Sequence, residues 1–143
     1  AERAEEAAHL VMLLQQVYSA LEVLNVLGSL YADRYLSELL SKHRKLADLV
    51  KPIQQIESCE WSMGAKLTSL LGILRDYEGP AEARLLVFVQ TKRTARWLCR
   101  VLAEDEGVRE RWAPASFVGQ SSGQVDGMSW QGEQAPTLQR FRD

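Results

Sequence analysis

The sequence has only two cysteines in 143 residues, Cys59 and Cys99, and their separation makes no C-x-x-C pair. A disulfide scaffold and a thiol-built zinc site are therefore both excluded as organising features, and two reduced, mostly buried thiols are expected. Four prolines and nine glycines are too few for a fibrous or low-complexity chain. No continuous apolar run approaches the roughly 18 residues of a membrane span. The acidic start AERAEE is the wrong flank for a signal peptide, so no membrane association and an intracellular location are expected. An excess of basic charge is also missing. The net charge of -2 and pI near 5.8 argue against a histone-like or homeodomain-like module, though not against a local basic patch.

Catalytic signatures are missing as well. The chain has no G-x-x-x-x-G-K-[ST] phosphate loop, no acidic box after a strand, and no Ser/His/Asp or Cys/His grouping in local context. His9 has no second ligand at i+4, and His43 stands among Lys42, Arg44 and Lys45. Both read as surface histidines, and no metal is expected. On these grounds the chain alone should not be a catalyst.

What is present falls into two regions of different periodicity. Hydrophobic content of 46% with 25% charge is globular composition. In residues 1–78 the apolar spacing is helical. Leu10, Leu14, Val17, Leu21 and Leu24 recur at steps of four and three, which predicts one buried helix face. Gly28 followed by Ser29 reads as a C-cap and then an N-cap, so a second helix is expected from Leu30 to about Leu49, ended or kinked by Pro52. The spacing around Ile53 to Ile56 allows a short helix, and after Ser62 a further helix should turn Leu67, Leu70, Leu71 and Leu74 inward. This region is a helical bundle by expectation.

In residues 79–143 the period changes. The run Arg84 to Gln90 has the pattern of a strand buried on both faces. Thr91 to Glu106 reads as an amphipathic helix, Ala115 to Val118 as a second strand, Gly119 to Gly132 as a loop, and a last helix begins near Gln134 or Pro136 and reaches Phe141. Strand, helix, strand is the opening of a parallel α/β sheet. The expected fold class is thus α/β with a large helical part. Two parallel strands cannot cover their own faces and edges, so the chain is expected to be a fragment of a larger protein.

The carboxyl ends of such strands are where an open α/β sheet binds ligands. Gln90 and Thr91 leave the first strand, Lys92, Arg93, Arg96 and Arg100 follow on the helix, and no acidic residue intervenes from Arg84 to Arg100. Gly119, Gln120, Ser121, Ser122 and Gly123 follow the second strand. Small residues with free N–H groups, hydroxyls and cations suit a phosphate backbone. The bland alternative is a solvated basic helix face beside a polar loop. Trp97 is expected to pack; Trp112 and Trp130 are the other tryptophans of this region that could stack on bases.

At these residues the chain resembles a known family. LLVFVQTKRTARWL, SFVGQSSG, GMSWQGEQ and LQRFRD resemble the second RecA-like domain of superfamily 2 helicases, nearest the group of Hef and the Fanconi anaemia group M protein, with RIG-I-like and Dicer helicases sharing the layout. YSALEVLNVLGSLYADRYLSEL is similar to the helical insertion of that group. The resemblance implies a helical insertion domain at 1–78 and the N-terminal part of a RecA-like domain at 79–143. It places Gln90, Thr91 and Lys92 along the backbone of a tracking strand, and matches Gly119, Gln120 and Ser121 to the turn after the second strand. Gln134 and Phe141 match the glutamine and phenylalanine that follow. The implied parent is an ATP-dependent DNA helicase or translocase acting on branched DNA in repair, with ATP and Mg bound outside this chain. It would be nuclear in a eukaryote and cytoplasmic in an archaeon. Two alternatives stand beside it: a double-stranded RNA helicase of the RIG-I-like or Dicer type, and a non-enzymatic module whose helices bind a protein partner.

Overall fold

In a computed structural model of the chain, residues 2–42, 62–117 and 135–142 are described. They form six helices: α1 (Glu2–Leu27), α2 (Ser29–Lys42), α3 (Ala65–Arg75), α4 (Lys92–Glu104), α5 (Glu106–Arg109) and α6 (Ala135–Arg142). Two compact units divide the chain, Ala1–Leu70 and Leu71–Asp143, with the boundary inside α3.

In the first unit α1 and α2 form an antiparallel pair joined by the single residue Gly28. Leu13 packs with Leu39, flanked by Met12 and Leu40, and the Tyr35 hydroxyl donates to Gln16 Oε1 at 2.8 Å. The pair farther from the joint along α1 is also the farther along α2, as an antiparallel hairpin requires. The turn itself needs glycine: Gly28 has φ +98°, a left-handed conformation that costs other residues strain. A Cβ there would also overlap the backbone of Ser62 and Gly64. Those residues clasp the joint through Gly64 N to Leu27 O at 2.8 Å, Leu30 N to Ser62 O at 3.2 Å and Ser62 N to Ser29 Oγ at 2.9 Å. Ser29 therefore accepts from the backbone N–H of Ser62, 33 positions away, and opens α2 at its first residue.

The buried face of α1 differs from the expected one. Leu13, Ala20, Val23 and Leu27 are buried, whereas Leu10, Leu14, Leu21 and Leu24 are 42–62% exposed. The helix is apolar on all sides, so spacing alone leaves two candidate faces, and α2 covers the second. The same composition makes α1 long and apolar enough, by those criteria alone, to cross a membrane. The absence of such a run, expected from continuous stretches, does not hold once scattered polar residues are tolerated. On α2, Tyr31, Ala32, Tyr35 and Leu39 are buried. The expected continuation to Leu49 and the short helix at Ile53 to Ile56 lie outside the described residues.

In the second unit Asp105 joins α4 to α5. Its N–H donates to Val101 O at 3.2 Å, closing α4, while its carboxylate accepts from Val108 N at 3.0 Å, capping α5. The same carboxylate takes both Arg75 Nε, at 3.1 Å, and Arg75 Nη2 in a bidentate ion pair. The Arg75 contact, with help from the Val108 and Gly107 backbone, holds the Asp105 carboxyl below the usual range against a smaller upward push from burial. Arg111 spans the carbonyls of Tyr77 and Gly79 and stacks on the Tyr77 ring at 4.9 Å. Trp112 packs against Tyr77, centroids 5.3 Å apart, and its indole N–H donates to Leu74 O at 3.0 Å.

The α/β expectation is overturned. Among the described residues there is no strand, and no parallel RecA-like α/β domain is formed. Arg84 to Gln90 runs without regular structure, with Leu85, Leu86, Val87 and Phe88 exposed at 46%, 62%, 42% and 89%. Residues 115–117 are likewise irregular, and Val118 lies outside the described residues. A strand exists only through a neighbour that pairs its backbone groups and covers its side chains. An apolar run supplies neither, and no described segment does so. The amphipathic helix and the terminal helix are present, at Lys92–Glu104 and Ala135–Arg142.

Candidate nucleic-acid interface

The basic constellation centres on α4. Its start is set by Thr91, in extended conformation, whose Oγ1 accepts from Thr94 N at 3.2 Å and lies 2.9 Å from Thr94 Oγ1. This is an N-cap, and it satisfies one of the donors a helix leaves open at its first turn. Buried Thr94, Trp97, Leu98, Val101 and Leu102 form one face. The remaining perimeter carries Lys92, Arg93, Arg96 and Arg100. Arg93, Arg96 and Arg100 follow at steps of three and four, so they share a flank. Lys92, Arg93 and Arg96 are half-buried and Arg100 is exposed, and each of the four has an intramolecular partner. For Arg100 one partner is the Trp97 ring, 4.6 Å from the guanidinium carbon.

Lys92 and Arg93 occupy the first turn, and no acidic residue is there. The helix dipole makes that end positive, so cations are disfavoured and anions attracted. The sequence thus concentrates positive charge where helix electrostatics favour the opposite sign. A phosphate oxygen meeting this turn would be drawn by both the dipole and the side chains.

Of the residues expected at the interface, Gln90, Thr91, Lys92, Arg93 and Arg96 are consecutive or nearly so at the entry to α4, with Gln90 exposed. They are brought together by the helix, not by a sheet edge, since no sheet is formed among the described residues. Gly119, Gln120, Ser121, Ser122 and Gln134 lie outside the described residues, as do Trp130, His43 and Cys59. Thr91 is engaged as a cap. Trp97 is 6% exposed, which removes it as a stacking platform and agrees with a packing role. Trp112 is committed to Tyr77 and Leu74.

Two features were missed by residue reasoning. Arg84 reaches the end of α6, its Nη1 donating to Arg142 O at 2.8 Å, a contact with no local signal because the two residues are 58 positions apart. The exposed apolar face of α1 is the other, and the apolar character of both its sides is the signal that marks it. Cys99 is a free thiol whose pKa is pushed up by burial, with a backbone hydrogen bond involving Ser116 pulling the other way. The upward direction favours the thiol over the nucleophilic thiolate. No group of three or more metal-ligating side chains occurs among the described residues. No protein-family model, curated protein or solved structure matches the chain.

Proposed function

We propose that the chain is part of an ATP-dependent DNA helicase or translocase acting on branched DNA, and that α4 is its grip on the phosphate backbone. The observation that carries the reading is the pair Lys92 and Arg93 in the first turn of α4, behind the Thr91 cap, in a turn that contains no acidic residue. Cations at that position oppose the helix dipole, and a bound phosphate offsets the opposition. Arg93, Arg96 and Arg100 continue the positive flank along the helix. Such contacts hold and orient a strand without reading its bases. The resemblance of LLVFVQTKRTARWL and SFVGQSSG to helicase sequences supports the motor assignment, with ATP and Mg held by parts of the parent outside this chain.

Forked DNA binding by the 143-residue chain, followed by fluorescence anisotropy, tests the reading. Affinity should fall linearly on a log–log salt plot, with a slope of about -0.9 per phosphate neutralised. Lys92→Glu with Arg93→Glu should reduce binding and flatten that slope by about two. Salt-independent binding, or full affinity in the double variant, defeats the proposal. Duplex RNA serves as competitor: if it competes as well as forked DNA, the double-stranded RNA helicase alternative replaces the DNA branch.

A further inference from the structure

Given the reading of α4 as a grip on a nucleic-acid backbone, on which this rests, we propose that Trp97 is a positioning residue. Its indole holds the Arg100 guanidinium in place to take one backbone phosphate, nearly two turns along α4 from Arg93.

Trp97 and Arg100 straddle the border between the two faces of the helix. Trp97 belongs to the buried set and is 6% exposed, while Arg100 stands three residues later on the basic flank and is exposed. Residues three apart are neighbours on a helix surface. The guanidinium carbon of Arg100 lies over the Trp97 ring, 4.6 Å from its centroid. The indole is anchored by its burial, and the arginine it carries is open to solvent.

A long side chain in water samples many rotamers, and gripping a ligand has to freeze them. An arginine already held on a buried ring has less freedom left to lose. The ring attracts the positive charge through its face, which leaves the planar fork of N–H donors to oxygen acceptors. That fork matches two oxygens of one phosphate. Arg100 has an intramolecular partner besides the ring, and the several donors of a guanidinium allow a phosphate to be taken as well.

Position separates this contact from the entry turn. Arg93 and Arg100 lie on one flank, about 10.5 Å apart along the axis, so they take different phosphates. Unlike Lys92 and Arg93, Arg100 is clear of the first turn, so the ring places it and not the helix dipole.

Forked-DNA titrations of the 143-residue chain across salt, with helical circular dichroism as the check on fold, test the proposal. Arg100→Gln should lower affinity and flatten the log–log salt slope by about one. Arg100→Lys keeps the charge and hence the slope, but should lose about two- to fivefold in affinity, the scale of an exposed cation–π contact. Trp97→Leu should lose as much, and Trp97→Phe should recover most of it. Once Arg100→Gln is present, Trp97→Leu should cost nothing further. Unchanged affinity in Arg100→Gln overturns the inference, and the α4 reading stands if Lys92→Glu with Arg93→Glu still weakens binding. Salt-independent binding by the unsubstituted chain removes the reading and the inference together. A Trp97→Leu loss that persists in the Arg100→Gln background overturns the positioning role. Where Trp97→Leu loses its helical signal, Arg100→Lys decides, and unchanged affinity there overturns the role of the ring-held fork.

Discussion

Asp105 closes one helix, opens the next and pairs with Arg75, so its substitutions separate charge from capping. Asp105→Ala removes all three interactions, and the loss of the cap alone should cost about 1 kcal/mol. Asp105→Asn keeps a side-chain oxygen for Val108 N and should recover part of that loss. The sign of the pH effect follows from the depressed carboxyl. Its stabilisation is fully present above the unfolded carboxylate pKa of about 3.9 and is lost as pH falls through the lower folded value. Acid unfolding of the chain and of Asp105→Asn, followed by circular dichroism, should therefore differ in steepness below about pH 4. Identical profiles would mean that the ion pair contributes nothing. Gly28 is the second informative residue. Gly28→Ala combines a left-handed φ with overlap on the 62–64 backbone, and should lower stability by at least about 2 kcal/mol in urea unfolding.

At the scale of elements, α1 shows what periodicity conveys and where it stops. The helix, its glycine end and the helix after it are legible from spacing and punctuation. Which face goes inward is not, because Leu13, Ala20, Val23 and Leu27 form a second apolar stripe and the choice is made by α2. Adjacent leucines give the check. Leu13→Ala should cost about 2–4 kcal/mol, as buried leucine truncations do, and Leu14→Ala less than about 0.5 kcal/mol in the single-chain state. Equal costs would mean that the faces are misassigned. Helix α4 was legible for the opposite reason: one face is apolar, the rest is basic, and Thr91 caps it. Its buried set of Thr94, Trp97, Leu98, Val101 and Leu102 follows directly from that asymmetry. The segment Arg84 to Gln90 failed because strand formation is a property of pairs. Its composition fits a buried strand, yet no described segment pairs with it, and Phe88 is left 89% exposed. Gln90 to Arg96 remain neighbours by chain continuity alone, with no sheet edge among the described residues to gather them.

Over the whole molecule, the two units carry different kinds of surface. The first, Ala1–Leu70, exposes leucines along α1; the second, Leu71–Asp143, carries the cations of α4. A net charge of -2 thus conceals a basic helix within a slightly acidic chain. The missing phosphate loop has a direct biochemical consequence: the purified chain should hydrolyse no ATP above background with or without forked DNA. Turnover that follows the 16.1 kDa chain through stringent purification would show a nucleotide site that the sequence does not reveal. Binding and turnover are therefore expected to separate cleanly in this chain.

The joint between α1 and α2 also bears on how the sequence is free to drift. At Gly28 the backbone angle disfavours nineteen side chains and the 62–64 backbone leaves no space for any of them. Two unrelated constraints meet at one position, so a mutation relieving either leaves the other in force. Evolutionary tolerance should fall to a single letter there, while Gly72, with nothing within 4 Å of a built Cβ, is open to replacement. Among descendants of this gene, a glycine kept at the first position and lost at the second would be the imprint of that clasp.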